Sequence, residues 1–119
     1  MDEQADAGAH LRLAGAPASE GTCFGTARVV LTPAGVGSVR PGEIAVVPVL
    51  SPALIAELPH AGAIVAEVGG VLSNAAVIAR EMRIPVVVAV PDATRAIASG
   101  DQLLVDGSSG AVERFRCSE

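Results

Sequence analysis

The sequence has no tryptophan, no tyrosine and only two phenylalanines among its 119 residues, and its formal net charge is -5. Proteins that bind nucleic acids need a basic surface, and those that hold single strands add aromatic side chains on which bases stack. Because both features are missing, we expect no nucleic-acid partner.

Long apolar segments are missing as well. The segment Ile84 to Val90 is interrupted by Pro85 and followed by Pro91, and it falls short of the roughly 18 residues that a membrane span requires. At the N-terminus, Asp2 and Asp6 occupy the region that is basic in a signal peptide, and no apolar segment follows them. We therefore expect no membrane association and a cytoplasmic location.

Cysteine and histidine are scarce, with two residues of each type. Cys23 and Cys117 lie far apart, and a cytosolic chain gives them no reason to form a disulfide, so we expect free thiols. His10 and His60 do not cluster with the cysteines, which argues against a metal site. We expect neither a metal nor a cofactor, and we expect His10 to be exposed to solvent.

What the sequence does contain is apolar: half of its residues are hydrophobic and only 18% are charged. A chain of this length and composition forms one packed domain. Residues 1–20 show neither a helical nor a strand period, so we expect a mobile N-terminal arm followed by a folded domain over residues 21–116.

Strands and helices alternate along the domain, which is typical of an α/β fold. Short apolar runs bounded by glycine or proline predict strands, and two segments that begin with a capping residue predict short helices. A 3.6-residue apolar period predicts a main helix at about 73–83, stopped before Pro85, with Ala76 and Arg80 on its outer side. The predicted strands are TCFGTARVVL, GEIAVVPVL, AGAIVAE, IPVVVAV and the two halves of QLLVDGSSGAVERF, and the short helices are SPALIAEL and ATRAIAS.

The candidate functional site is the loop before the main helix, Gly69-Gly70-Val71-Leu72-Ser73-Asn74. In α/β sheets, ligands bind beyond the carboxyl ends of strands, where unpaired N–H groups at a helix start favour anions. Gly69 and Gly70 would let the backbone approach a phosphate or carboxylate, and Ser73 or Asn74 would cap the helix. An ordinary strand-to-helix turn explains the same residues, so spacing alone leaves both interpretations open.

The segment GGVLSNAAVIAREMRIPVVV, followed by DATRAIASGDQLLVDGSSGAV, resembles the phosphohistidine-carrying swivelling domain of the phosphoenolpyruvate-utilising enzymes. That family includes pyruvate phosphate dikinase, phosphoenolpyruvate synthase and rifampicin phosphotransferase. Its pattern has two glycines, two further residues, Ser-His-Ala-Ala, an apolar pair, Ala-Arg-Glu and then Ile-Pro. The resemblance covers residues 21–112 and implies a compact swivelling β/β/α domain, which in the family moves a phosphoryl group between an ATP-binding domain and a second substrate domain.

One position departs from the family pattern, because Asn74 stands where the resemblance places the phosphorylated histidine. A carboxamide nitrogen shares its lone pair with the carbonyl group and is not a nucleophile, whereas an imidazole nitrogen is one near neutral pH. His60 precedes the strand that ends at the loop, about 15 Å away at ~3.3 Å per strand residue, and does not replace it. Arg80 matches the arginine of the pattern, either as an anion ligand or as a solvated residue paired with a carboxylate.

Three functions remain open at this point. Because the sequence begins with Met1, we expect a free-standing, degenerate domain that binds or assembles with a protein in trans, such as an ATP-binding or phosphoenolpyruvate-binding domain. The second is a lyase, isomerase or cyclase that uses the same loop on a small anionic metabolite, with Glu67 or Glu81 as the base. In the third, Asn74 is an engineered replacement in an ordinary phosphocarrier.

Asp106 is expected to form a turn.

Overall fold

The computed structural model describes residues 10–116 of the chain. Within them the chain forms eight strands, one 3-10 helix and three α-helices, in an order that confirms the expected α/β class. The elements are β1 (His10–Ala14), β2 (Ala16–Ser19), β3 (Thr22–Val29), a 3-10 helix (Pro33–Ser38), β4 (Ile44–Val49), α1 (Pro52–Ala56), β5 (Ala63–Val68), α2 (Asn74–Met82), β6 (Val86–Val88), α3 (Ala93–Ala96), β7 (Gln102–Asp106) and β8 (Ala111–Phe115).

The eight strands form one mixed sheet in the order β1-β8-β7-β3-β4-β5-β6-β2. The central strands β3, β4, β5 and β6 are parallel, and the remaining pairs are antiparallel. Because parallel strands end on the same side, the segments that follow β4, β5 and β6 leave the sheet together. This arrangement places the loop before α2 at the carboxyl end of the parallel strands.

The central strands are apolar on both sides because each side is covered. Along β4, Ala45 and Val47 pack in the core cluster that includes residues of α1 and α2. Ile44 and Val46, which alternate with them, pack in a second cluster that includes residues of α3, β7 and β8. A strand covered on both faces has no polar alternation, which explains its continuous apolar sequence.

Helix α2 confirms the predicted main helix at 73–83, with its first residue at Asn74 and its last at Met82. Arg83 follows in the left-handed conformation (φ 62°, ψ 38°). The expectation that Ala76 lies on the outer side was wrong: Ala76 is fully buried together with Ala75 and Ala79. Three small side chains widen the buried face and allow the helix to pack close to the core.

The N-terminal segment differs from the expected mobile arm, although residues 1–9 of that arm lie outside the described part of the chain. Strand β1 pairs antiparallel with β8, and β2 pairs antiparallel with β6. Between them, Gly15 passes so close to the sheet that a Cβ there would lie 2.3 Å from the carbonyl oxygen of Val88. The segment is therefore part of the sheet, because neighbouring strands supply hydrogen bonds that its own sequence does not reveal.

His10 is half-buried, contrary to the expected exposure. Its ring stacks on Phe115 with 4.7 Å between the ring centroids, and its Nε2 lies 2.9 Å from Oε1 of Glu113. Both partners lie on β8, which pairs with β1. Pairing of the two strands thus places the histidine against an aromatic ring and a carboxylate.

Candidate functional site

The loop Gly69–Ser73 connects the carboxyl end of β5 to α2, and its two glycines have different surroundings. A Cβ on Gly69 would lie 3.0 Å from Cγ1 of Val88 and 3.1 Å from Cβ of Leu50. At Gly70, a Cβ would meet no atom within 4 Å. Gly69 is therefore needed for packing, whereas the backbone of Gly70 is open to solvent.

Ser73 caps α2, as one of the two predicted capping residues. Its hydroxyl donates to the carbonyl oxygen of Gly70 at 2.7 Å and accepts from the backbone N–H of Ala76 at 3.2 Å. The backbone N–H of Ser73 also donates to Gly70 at 3.2 Å. The hydroxyl proton and one lone pair are thus used to fix the turn from loop to helix.

Asn74 is the first residue of α2 and is exposed to solvent. None of the described residues hydrogen-bonds to its side-chain amide. Four exposed apolar side chains lie in this part of the chain, and we call them the apolar rim. Val49 (53% exposed) and Val68 (59%) are the last residues of β4 and β5, and Leu72 (90%) and Val77 (44%) are close to Asn74 in sequence. The rim could not be predicted from the sequence, because the exposure of a side chain depends on what packs against it.

The apolar rim continues into an apolar groove. This open cavity of about 630 Å³ lies between the end of β3, the 3-10 helix, the end of β4 and α1. Its lining includes Leu31, Val36 and Leu54, and it shares Val49 with the rim. Together the groove and the rim give this end of the domain an apolar surface.

Arg80 holds the loop against β2. Its Nε donates to the carbonyl oxygen of Ala18 at 2.8 Å, and its Nη2 donates to the carbonyl oxygen of Val71. The pairing of β2 with β6 is irregular between Pro17 and Ser19, so Ala18 has no partner in the register. The arginine therefore binds two backbone carbonyls, a role that neither predicted alternative described.

Glu67 and Glu81 do not form a catalytic pair. The backbone N–H and the hydroxyl of Thr94 donate to Oε2 of Glu67 at 2.8 and 2.5 Å. The hydroxyl contact first, and then the N–H contact, lower the pKa of Glu67 below its usual value. Thr94 belongs to α3, which packs in the opposite core cluster from α2, where Glu81 lies.

The other candidates lie outside the loop. His60 is exposed in the turn before the amino end of β5, which is the far end of that strand from Asn74. Asp106 forms a turn, as predicted: its Oδ1 accepts from the N–H groups of Ser108 and Ser109, and these contacts lower its pKa. Residues 10–116 contain no group of three or more His, Cys, Asp or Glu side chains that could hold a metal ion.

Two further expectations concern the chain as a whole. Within the described ranges, no helix is long and apolar enough to cross a membrane. Cys23 is a free thiol, and burial raises its pKa. Cys117, the second cysteine, lies outside the described residues.

Comparisons with known proteins place these features in a family. Residues 39–110 match the family model of the PEP-utilising enzyme mobile domain. A probable phosphoenolpyruvate synthase of Pyrococcus abyssi is 34% identical over 104 residues, which are 87% of this chain and 13% of that protein. Rifampicin phosphotransferase of Streptomyces sviceus is 40% identical over 101 residues, which are 85% of this chain and 12% of that protein.

The fold is also found among solved structures. A chain in the holo form of Thermococcus kodakaraensis aconitase X superposes with a TM-score of 0.66 at 23% identity, covering 89% of this chain and 99% of that one. At this identity the likeness concerns the fold alone. The sequence relatives named above are far longer, and this chain spans about an eighth of their length. On the family match and these identities, the chain belongs to the mobile-domain family of the phosphoenolpyruvate-utilising enzymes.

Proposed function

We propose that this domain cannot be phosphorylated at residue 74 and acts as a binding module for a catalytic domain of the phosphoenolpyruvate-utilising type, supplied in trans. The partner would be an ATP-binding or a phosphoenolpyruvate-binding domain. We infer from the resemblance to the family pattern that Asn74 stands at the position of the phosphoacceptor histidine, and a carboxamide nitrogen has no available lone pair. Such a module would work where its partners work, which we propose is the cytoplasm.

The observation that supports this proposal best is the exposed Asn74, which is close in sequence to Leu72 and Val77 of the apolar rim. Large apolar side chains that share one surface with a groove favour contact with another protein, because contact removes their area from water. Leu72 precedes Asn74 by two residues and Val77 follows it by three, so a partner that covers both would also enclose the amide. Loss of the nucleophile leaves these docking side chains in place.

The loop also suits the anionic group of a partner's substrate. Helix α2 directs its positive end and its first N–H groups toward the loop, where a phosphate or carboxylate is stabilised. Gly70 leaves the approach open, and Gly69 and Arg80 fix the backbone on either side of it. In this proposal, Gly69, Gly70 and Arg80 position the loop around the anion, and Asn74 supplies a neutral hydrogen-bonding group.

An enzymatic role of the same loop has less support. Glu67, the nearest carboxylate in sequence, is bound by Thr94 and its pKa is lowered, which weakens it as a base. Ser73 is engaged at both its donor and one acceptor site. Neither Glu67 nor Ser73 thus offers the free base that a lyase or isomerase requires.

The experiment restores the missing nucleophile. Asn74→His and the native chain are each mixed with Streptomyces sviceus rifampicin phosphotransferase from which its own mobile domain has been deleted, together with ATP labelled in the transferable phosphate. We expect acid-labile label on residue 74 of the variant and none on the native chain. His60→Gln in the variant background is the control, since it should leave labelling unchanged.

A second change tests the docking surface. Leu72→Asp in the Asn74→His background should abolish labelling while leaving the melting temperature unchanged, because Leu72 is 90% exposed and a carboxylate there would be buried on docking. Label on His10 or His60 of the native chain would refute the non-carrier proposal. Absence of label on the Asn74→His variant would refute the retention of the docking surface.

A further inference from the structure

A second cavity lies away from the apolar groove, and its lining is polar. This open cleft of about 980 Å³ is bordered by β2 and the turn after it, the last part of α2, and the turn between β7 and β8. We call it the arginine cleft: Pro17, Ala18, Ser19, Glu20, Gly21, Arg80, Arg83, Gly107 and Ser108. Asn74 is not among the lining residues, so the cleft is separate from the exposed amide.

The walls of the arginine cleft are joined by hydrogen bonds. The N–H of Gly107 donates to the carbonyl oxygen of Gly21 at 2.7 Å, and the N–H of Gly21 donates to Oγ of Ser108 at 3.2 Å. Arg80 joins α2 to β2 through its bond to Ala18 at 2.8 Å. A ligand would therefore enter a cleft that is already formed, which lowers the entropy cost of binding.

Two arginines give the cleft its charge. All eight basic residues of this chain are arginines, and four of them (Arg12, Arg28, Arg95 and Arg116) lie within 4.0 Å of a carboxylate. Among the described residues, Arg80 and Arg83 have no carboxylate partner. Arg80 lies in the last part of α2 and Arg83 directly follows the helix, and both line the cleft. Glu20 offsets one charge, which leaves the cleft positive in a protein of net charge -5.

Both guanidinium groups have hydrogen-bond donors to spare. Arg80 uses two of its five N–H bonds on backbone carbonyls, and these contacts fix the plane of the group. Arg83 makes no side-chain hydrogen bond within residues 10–116. A planar pair of N–H donors matches two oxygens of a phosphate or carboxylate group.

Ser19 adds a buried hydroxyl without a protein partner. The residue is only 3% exposed, and none of the described residues hydrogen-bonds to its Oγ. Ser19 lines the cleft, where an acceptor oxygen of a ligand would satisfy its hydroxyl.

The backbone conformation of Arg83 also supports a role for its side chain. With φ 62° and ψ 38°, Arg83 occupies the left-handed position at the end of a helix that glycine normally fills, because other residues are strained there. A long cationic side chain on a strained backbone is consistent with a functional role of that side chain.

We propose that the arginine cleft binds a small phosphate-bearing anion. Arg83 and the free N–H groups of Arg80 would contact the phosphate oxygens, and the hydroxyl of Ser19 would donate to one of them. Two guanidinium groups are needed because Glu20 and the negative end of the α2 dipole both oppose an anion at this place. This site goes beyond the proposed docking function and does not depend on it.

The test is a titration of the ¹⁵N-labelled chain with inorganic phosphate and, separately, with phosphoenolpyruvate at pH 7.5, followed by amide chemical shifts at constant ionic strength. We expect saturable shifts at residues 18–21, 83 and 107–108. Arg83→Gly, which suits the left-handed backbone and keeps the fold, should raise the Kd about tenfold or more. Arg40→Gln removes an exposed arginine outside the cleft and should leave the Kd within twofold.

Three results would overturn the proposal: shifts no larger than those that sodium chloride produces, shifts centred on residues 69–75 instead of the cleft, or an unchanged Kd in Arg83→Gly. Ser19→Ala gives a second check, with an expected loss of affinity of about threefold to tenfold for one neutral hydrogen bond. Because Arg83→Gly should not affect labelling of the Asn74→His variant, failure here and failure of the docking proposal are separate results.

Discussion

Replacement of Arg80 tests the most specific contact of the candidate site. In Arg80→Ala, the carbonyl oxygen of Ala18 loses its donor at an irregular point of the β2–β6 ladder, where Ala18 itself is 2% exposed. A buried carbonyl left without a partner costs about 1–3 kcal/mol. The contact to Val71 lies at the surface, where water replaces most of it, and adds about 0.5 kcal/mol. We therefore expect the free energy of unfolding to fall by about 2 kcal/mol.

The substitution Arg80→Lys shows whether the positive charge of Arg80 or the planar shape of its guanidinium group stabilises the fold. Arg80→Lys keeps the positive charge, but one ammonium group on a flexible stem does not reproduce the planar fork that reaches both carbonyls. We expect about half of the loss seen in Arg80→Ala. Urea unfolding measures both values, and Arg40→Ala is the control because it removes an exposed arginine outside the site, with an expected change within 0.5 kcal/mol.

Hydrogen exchange shows where the effect lies. The N–H of Ser73 donates to the carbonyl of Gly70, in the loop that Arg80 holds through Val71, and it should lose protection in Arg80→Ala. Amides in the middle of β4 should change only by the global loss. Equal stabilities of Arg80→Ala and Arg40→Ala, or unchanged exchange at Ser73, would refute the tethering role.

Two other predictions concern the core and the end of the sheet. Gly69→Ala should lower the free energy of unfolding by about 1–3 kcal/mol, because its Cβ would crowd Val88 and Leu50. Gly70→Ala has open space around the new Cβ, so its free energy of unfolding should change by no more than about 0.5 kcal/mol. Equal effects of the two substitutions in urea unfolding would contradict the packing argument. Asp101 is buried and accepts from both Nε and Nη2 of Arg116 at 2.9 Å, and this contact, aided by the N–H of Ala98, lowers its pKa. The ionised carboxylate therefore stabilises the fold above its unfolded pKa of about 3.9, and this stabilisation is lost as the pH falls through the lower folded pKa. Native and Asp101→Asn proteins should differ in free energy of unfolding by about 2 kcal/mol at pH 7, and the difference should shrink as the pH falls below about 3.9. Stability curves measured against pH would check this convergence.

Much of the α/β core could be predicted from the sequence, because strands that are buried on both faces are almost entirely apolar. Strands β4, β5 and β6 are runs of valine, isoleucine and alanine bounded by glycine or proline, and α2 has an apolar period with a capping serine. Strands β1 and β2 could not be predicted in this way. Their sequences HLRLA and APAS contain few β-branched residues, and pairing with β8 and β6 determines their conformation.

The site shows the same division. The motif located the loop, the capping role of Ser73 and the unusual Asn74, because these depend on residues close together in sequence. The partners of Arg80 and Glu67 depend on contacts across 62 and 27 positions, and no local pattern signals them. Ala18 in particular belongs to a segment that sequence alone describes as an arm.

Strands β1 and β2 are separated by Gly15 alone, yet they occupy opposite ends of the strand order. The segment therefore covers the outer hydrogen-bonding groups of both β8 and β6 at once. A shortened chain that began at residue 21 would uncover two rows of unpaired N–H and C=O groups, which are templates for strand addition from other molecules. Aggregation of such a fragment would then result from unpaired sheet edges and would not indicate that the core is unstable.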